Sequence, residues 1–468
     1  MSSPLDRRKF NRFTVYLIRL HGRLVSLLQH YLTDKQFVTI SGVLVGLSSA
    51  LAAIGLKGMV FYLHHLLFTQ GAESTVSPWI YCWIPLVGIV ITSWIIHRYF
   101  DGSVGGGNGQ IVYAIKRKRS RLPRRLMYSH VITSAITVGT GGSTGLETPI
   151  VTTGAAIGSN YGRTYKVKES DRTILLAAGV AAGISATFNA PIAGVLFAIE
   201  VLLSELAIAS FIPILIASAS GAILSKIILN EDILLNFTSM AEFDYHNVPF
   251  YIVLGIMAGG VSAYYIKTYV FTESLFSRIK KQYRIQKAII GGFLLGLLIL
   301  AFPPLFGEGY ESIKMLARDE ADILMQQSMI FHGVSDPVIL LLLLTAIMFL
   351  KVFATAITIG SGGNGGNFAP SLFCGAYLGY TFSSLLNTTG FIQLPVANFT
   401  VVAMGGILSG IFYAPLTAIF LIAEITGGYD LIIPLMIVSA LSFGTSRYLH
   451  GYSLDGLRLQ KMLEKKAN

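Results

Sequence analysis

One carboxylate stands out by its surroundings. Glu147 lies in the run Gly141-Gly142-Ser143-Thr144-Gly145-Leu146-Glu147-Thr148-Pro149, a glycine-rich turn that leads through proline into an apolar segment. A turn of this kind feeds a helix N-terminus, where unpaired backbone N–H groups and the positive end of the helix dipole attract an anion. A carboxylate there can hold the anion's place; protonated, it can swing away and leave the place open. That makes Glu147 a candidate gate whose state follows pH. The plainer alternatives are a capping acid and glycines that only let helices approach closely. A second glycine-rich turn, Gly360–Pro370, ends in the same way but carries Phe368 where the first carries Glu147. Two such loops facing each other would bind an anion without a buried Lys or Arg, weakly enough to release it.

Other chemistries are poorly supported. Gly141 to Gly145 fits the G-x-S-x-G nucleophile elbow, which would make Ser143 the nucleophile of an intramembrane hydrolase. The second loop places Asn364 opposite Ser143, and no His lies near in either loop. Gly360 to Gly365 fits G-x-G-x-x-G, but no soluble strand–helix unit surrounds it. The nine His show no metal spacing such as H-E-x-x-H, and the two Cys, Cys82 and Cys374, sit inside apolar runs as small core residues. No catalytic residue, metal ligand or cofactor is expected. A cation pathway would want acids or unwound carbonyls, whereas these loops present amides.

The elements that must position these loops are membrane helices. Of 468 residues only 13% are Asp, Glu, Lys or Arg and 53% are apolar; about 25% charged residues is usual in soluble proteins. Mean hydropathy is +0.64. Long apolar runs at 38–66, 79–97, 208–229, 249–271, 288–306, 337–359 and 430–446 reach the ~20 residues a bilayer requires. Shorter pieces broken by Gly and Pro lie between them, at 128–139, 149–162, 173–189, 191–204, 369–386, 399–412 and 415–426. Broken helices survive at membrane depth only where protein or a watery cavity covers the freed backbone, so they point to a transport pathway. Disorder and an outer-membrane barrel are excluded by the composition and by the lack of strand alternation. No cleavable signal peptide is visible.

Orientation follows from the basic clusters: Arg7 to Lys35, Lys116 to Arg125, Arg278 to Lys287, and Arg458 to Lys466. The acids Glu231, Asp232, Glu242 and Asp244, then Glu308, Glu311, Asp319, Glu320 and Asp322, fall elsewhere. The positive-inside rule puts the basic set and both termini in the cytoplasm, and reads the net charge of +11 as loop chemistry, not nucleic-acid binding. A contact of 116–125 with anionic lipid is a lesser alternative to a solvated loop.

The chain repeats itself. Ala135–Pro149 and Ala356–Pro370 agree at eight of fifteen positions, with an offset of 221 (370 − 149). Asn189–Glu200 (NAPIAGVLFAIE) and Tyr413–Glu424 (YAPLTAIFLIAE) match at an offset of 224 (424 − 200). Two matches at nearly one offset imply two homologous halves. The expected fold is an all-α polytopic membrane protein of two inverted-topology repeats with broken helices. It divides into a cytoplasmic basic N-terminal helix over 1–36, repeat 1 over 37–240, repeat 2 over 241–450 and a short cytoplasmic tail over 451–468.

GSTGLETP resembles the G-K/R-E-G-P signature of the CLC family of chloride channels and proton-coupled chloride transporters. GGNFAPSL resembles that family's G-G-x-F-x-P-x-L signature, and both occur in the family's order over roughly 38–460. The resemblance implies a pore in each subunit of a homodimer, in a cell (inner) membrane among its lipids, carrying chloride or a similar anion and no nucleic acid. It implies the external gating glutamate at Glu147 and anion-lining backbone amides at Leu146, Glu147, Asn367 and Phe368. Appended nucleotide-binding modules are not expected, since the chain runs only some twenty residues past its last apolar run.

Three departures from the family pattern matter. The loop serine falls on Gly106, with Gly107 or Asn108 there if the register slips; the C-terminal pore tyrosine falls on Asp455, with Tyr452 as a possible stand-in; and the internal proton-relay glutamate falls on Val201, after Glu200. A carboxylate at 455 would repel chloride unless protonated or turned away. Valine cannot carry a proton. Glu200 has a counterpart, Glu424, in the second repeat and so reads as structural; Glu205 is the nearest other acid. The expectation is therefore passive chloride conduction gated by protonation of Glu147, with proton-coupled chloride antiport as the alternative.

Overall fold

The computed structural model describes residues 31–68, 78–105, 107–203, 211–229, 240–326, 328, 330–331, 336–390 and 392–467. The basic helix expected over 1–36 lies mostly outside them, and Gly106 and Glu205 lie outside them. Repeat 1 contains α1 (Asp34–Phe68), α2 (Pro78–Tyr99), α3 (Gly107–Arg117), α4 (Leu126–Gly139), α5 (Glu147–Thr164), α6 (Glu169–Phe188), α7 (Pro191–Phe197) and α8 (Phe211–Leu229). Repeat 2 contains α9 (Val248–Ser277), α10 (Arg284–Ala301), α11 (Tyr310–Ala317), α12 (Ala321–Gln326), α13 (Pro337–Ser361), α14 (Phe368–Thr388), α15 (Val396–Phe412), α16 (Pro415–Ile425) and α17 (Ile432–His450). A last helix, α18 (Leu454–Ala467), follows a turn at Gly451. Among the described residues, seven helices are long and apolar enough to cross a membrane.

The apolar runs become helices with boundaries set by local chemistry. The run 288–306 stops at Ala301 because Pro303 and Pro304 follow. The segment 173–189, expected as a broken piece, is part of the continuous twenty-residue helix α6, most of it buried inside the protein. It ends on Asn189 in the left-handed conformation (φ 53°), as α15 ends on Tyr413 (φ 58°); each is followed by Ala-Pro, with the proline opening the next helix. Glycine does permit close packing: a Cβ on Gly154 of α5 would strike the backbone of α6, and one on Gly375 of α14 that of α15.

Equivalent residues of the two repeats meet each other, as a two-fold axis requires. Gly145 and Gly366, 221 positions apart (366 − 145), form an antiparallel bridge with N–H···O distances of 3.0 and 2.8 Å. Gly142 N donates to Thr137 O and Gly363 N to Thr358 O, the same turn in each half. Glu424 accepts hydrogen bonds from Ile192 N and Ala193 N at the start of α7, and Glu200 accepts from Leu416 N and Thr417 N at the start of α16. These reciprocal caps account for the duplicated glutamates as structural.

The axis inverts the halves. The Arg119–Glu169 and Lys168–Asp34 ion pairs gather the starts of α1 and α6 with the loop 118–125. Arg125 pairs with Asp101, and Arg284 bonds to His97, joining the ends of α2 and the start of α10 to that face. The start of α15, equivalent to that of α6, lies at the other end: Asn398 exchanges hydrogen bonds with Ala241, just before α9.

Candidate anion pathway

The two glycine turns bring the N-termini of α5 and α14 together. Glu147, in the first turn of α5, is 1% exposed. Its Oε1 accepts a 2.6 Å hydrogen bond from the Tyr310 hydroxyl, while Oε2 is buried without a partner beside Gly145 and the Ala369 backbone. Leu146 N, one of the expected anion-lining amides, donates instead to Glu308 Oε1 at 3.3 Å. Asn367 precedes α14, and its Oδ1 accepts from the Tyr265 hydroxyl at 3.0 Å. Phe368 is buried among Phe188, Phe197 and Phe412, with ring centroids 5.5, 6.2 and 5.6 Å away. Phe188 and Phe412 are themselves repeat equivalents, 224 positions apart (412 − 188), so the aromatic plug draws on both halves.

On the side of the basic loops, α3 packs against both α18 and α5. Gly107 opens α3 at φ +63°, and a Cβ there would press on Thr148 of α5. Asn108 Nδ2 donates to Asp455 Oδ2 at 2.9 Å, and Asn108 Oδ1 is buried without a partner. Asp455 therefore meets Asn108 in the first turn of α18. Tyr452, the alternative to Asp455, is 52% exposed, and its carbonyl accepts from His450.

Several groups were not singled out from the sequence. Tyr265 and Tyr269, one helical turn apart on α9, are fully buried. Arg458 Nη2 donates to the Tyr269 hydroxyl at 2.7 Å and to Glu273 at 3.1 Å. Lys351 is 0% exposed in the middle of α13; its Nζ donates to Gly307 O at 2.9 Å and lies 4.6 Å from the centre of the Phe373 ring. A lone lysine in a 25-residue apolar helix was a legible signal. The Tyr310 and Arg458 contacts had none, since their partners lie 163 to 189 residues away.

Val201 lies in a π-turn over Ala198–Leu202 and offers an apolar side chain. Ser143 Oγ is buried with no hydrogen-bond partner, so no base is bonded to it. Among the described residues no cluster of His, Cys, Asp and Glu is placed to hold a metal ion.

A glutamate at a helix N-terminus, an opposed phenylalanine and two inverted turns joined by a bridge are one arrangement. A sequence model described as "Voltage gated chloride channel" matches residues 87–447. The chain belongs to the CLC family. It is 28% identical over 379 residues to the H(+)/Cl(-) exchange transporter ClcA of Vibrio cholerae, covering 79% of this chain and 77% of that one. It is 27% identical to a putative chloride channel protein ClcB-like of Ralstonia nicotianae, over 85% or more of both chains (86% and 92%). Its fold matches the crystal structure of a slow cyanobacterial Cl-/H+ antiporter with a TM-score of 0.78 and 24% identity, over 93% of this chain and 100% of that one. This CLC protein is thus a multi-span membrane protein of a chloride-transporting family.

Proposed function

We propose that this CLC protein exchanges chloride for protons, with Glu147 as the outer gate. The observation that carries the reading is the buried Glu147 carboxylate at the α5 N-terminus, where an anion would sit, held there by Tyr310. Deprotonated, Glu147 blocks the site; protonated, it leaves the amides of Leu146, Glu147, Asn367 and Phe368 to the anion. The names of the relatives support exchange over the passive conduction that Val201 suggests. In exchange, a proton must also reach Glu147 from within, and Val201 cannot carry it. Asp455, bonded to Asn108 beside the anion route, is our candidate for that inner station. Val201 remains the specific observation in favour of passive conduction.

We further place the protein as a homodimer among the lipids of a cell inner membrane, with both termini cytoplasmic, moving chloride without catalysing a covalent reaction. Chloride efflux from reconstituted vesicles tests the gate. Glu147→Gln imitates the protonated side chain, so efflux should persist or rise and lose its dependence on outer pH. A pH profile equal to that of the parent would reduce Glu147 to a capping acid.

A further inference from the structure

Glu147 is not the only carboxylate at the start of α5. Glu308 lies in a short loop between Pro304 and α11, and its Oε1 takes the N–H of Leu146. Two residues on, Tyr310 donates its hydroxyl to Glu147. One loop therefore touches the gate twice: it supplies a donor to the gating carboxylate and an acceptor to the amide beside it. The loop is itself anchored from below, because Lys351 donates to Gly307 O. Glu147 Oε2, buried and unpartnered, is aimed into the same small space between Gly145 and α14.

These contacts have a consequence for an entering anion. The Leu146 amide cannot serve the anion and Glu308 together, since one N–H makes one good hydrogen bond. Two carboxylates at one helix N-terminus, out of bulk water, also oppose each other's charge. We propose that Glu308 is a second carboxylate of the outer gate, covering the Leu146 amide and setting the pH at which Glu147 accepts a proton and moves. The cations facing the pair are Lys57 on α1 and Lys351 on α13. Tyr310 is the other ionisable group in direct contact, and His64 of α1 lies one ring further out, edge-on to Phe306 at 6.1 Å. Glu308 acts on the gate through charge and through the amide, so it is a positioning residue.

The sign is fixed by the geometry. With Glu308 charged, Glu147 is more easily protonated and the gate opens at a higher pH. With Glu308 neutral, the repulsion is gone and the Leu146 amide is less firmly held, so the charged, closed form of Glu147 persists into more acidic solution.

The inference rests on the reading of Glu147 as the gate, and one experiment separates the two. Chloride efflux from vesicles is measured against outer pH for the parent, Glu308→Gln and Glu147→Gln. Glu308→Gln is expected to lower the pH of half-maximal efflux by about one unit, the size of a single near-charge effect. An unchanged midpoint in Glu308→Gln, with Glu147→Gln insensitive to pH, overturns the role of Glu308 alone. A pH-dependent Glu147→Gln overturns the gate itself. Should Glu308→Gln fail to fold, Glu308→Asp draws the charge back by one methylene. It should lower the midpoint by a smaller amount, and no shift there also overturns the proposal.

Discussion

Glu147 does its work through what holds it. The Tyr310 hydroxyl donates to it at 2.6 Å, and a bond to a charged acceptor contributes about 1.5–3 kcal/mol. Removing it in Tyr310→Phe leaves ring packing in place and frees the carboxylate. Chloride efflux at neutral pH should rise roughly tenfold, since each ~1.4 kcal/mol is a factor of ten; efflux equal to that of the parent would show that the bond does not hold the gate shut. Glu147 and Phe368 were legible in the sequence because a carboxylate and an aromatic among glycines are conspicuous. Tyr310, Glu308, Tyr265 and Arg458 were not, because each acquires its role from a partner far along the chain. The choice between Tyr452 and Asp455 was open in the sequence for a different reason. It depends on where α18 begins, and the turn at Gly451 exposes Tyr452 and points Asp455 at Asn108.

At the scale of elements, helix ends carry the architecture. Glu200 and Glu424 each bind two backbone N–H groups at the start of a helix in the opposite repeat. Replacing either by Gln removes the charge and weakens both bonds. Each variant should lose about 1–3 kcal/mol of stability, in similar measure, because the two caps are related by the two-fold. Thermal unfolding in detergent reads this, and a large loss in one variant with none in the other would contradict the symmetric account. The α3–α18 contact has a functional counterpart. Asp455→Asn keeps a hydrogen-bonding side chain opposite Asn108 but cannot cycle a proton. Chloride flux should survive in that variant while coupled proton movement falls severalfold; proton movement equal to that of the parent would remove Asp455 as the inner station. Helix existence and the repeat were readable from apolar period and motif, whereas α6 was read as broken because its glycines and small residues resemble those of the interrupted segments.

For the whole molecule, the inverted repeat explains how a charge-poor protein brings two helix N-termini together in its interior. Two turns approaching from opposite sides meet at Gly145 and Gly366 and aim the N-termini of α5 and α14 at each other's neighbourhood. The sequence offset already contained this two-fold, because it is a property of the linear chain. In a variant lacking Cys82 and Cys374, a cysteine placed at 118 should react with impermeant reagent only from the inside and one at 242 only from the outside; outside labelling at 118 would contradict the topology. Exchange is tested directly by imposing an inward chloride gradient on reconstituted vesicles and following outer pH. The account predicts protons leaving as chloride enters, continuing against a small opposing pH gradient, and ceasing in Glu147→Gln. Chloride entry with no uphill proton movement would contradict it and leave passive conduction.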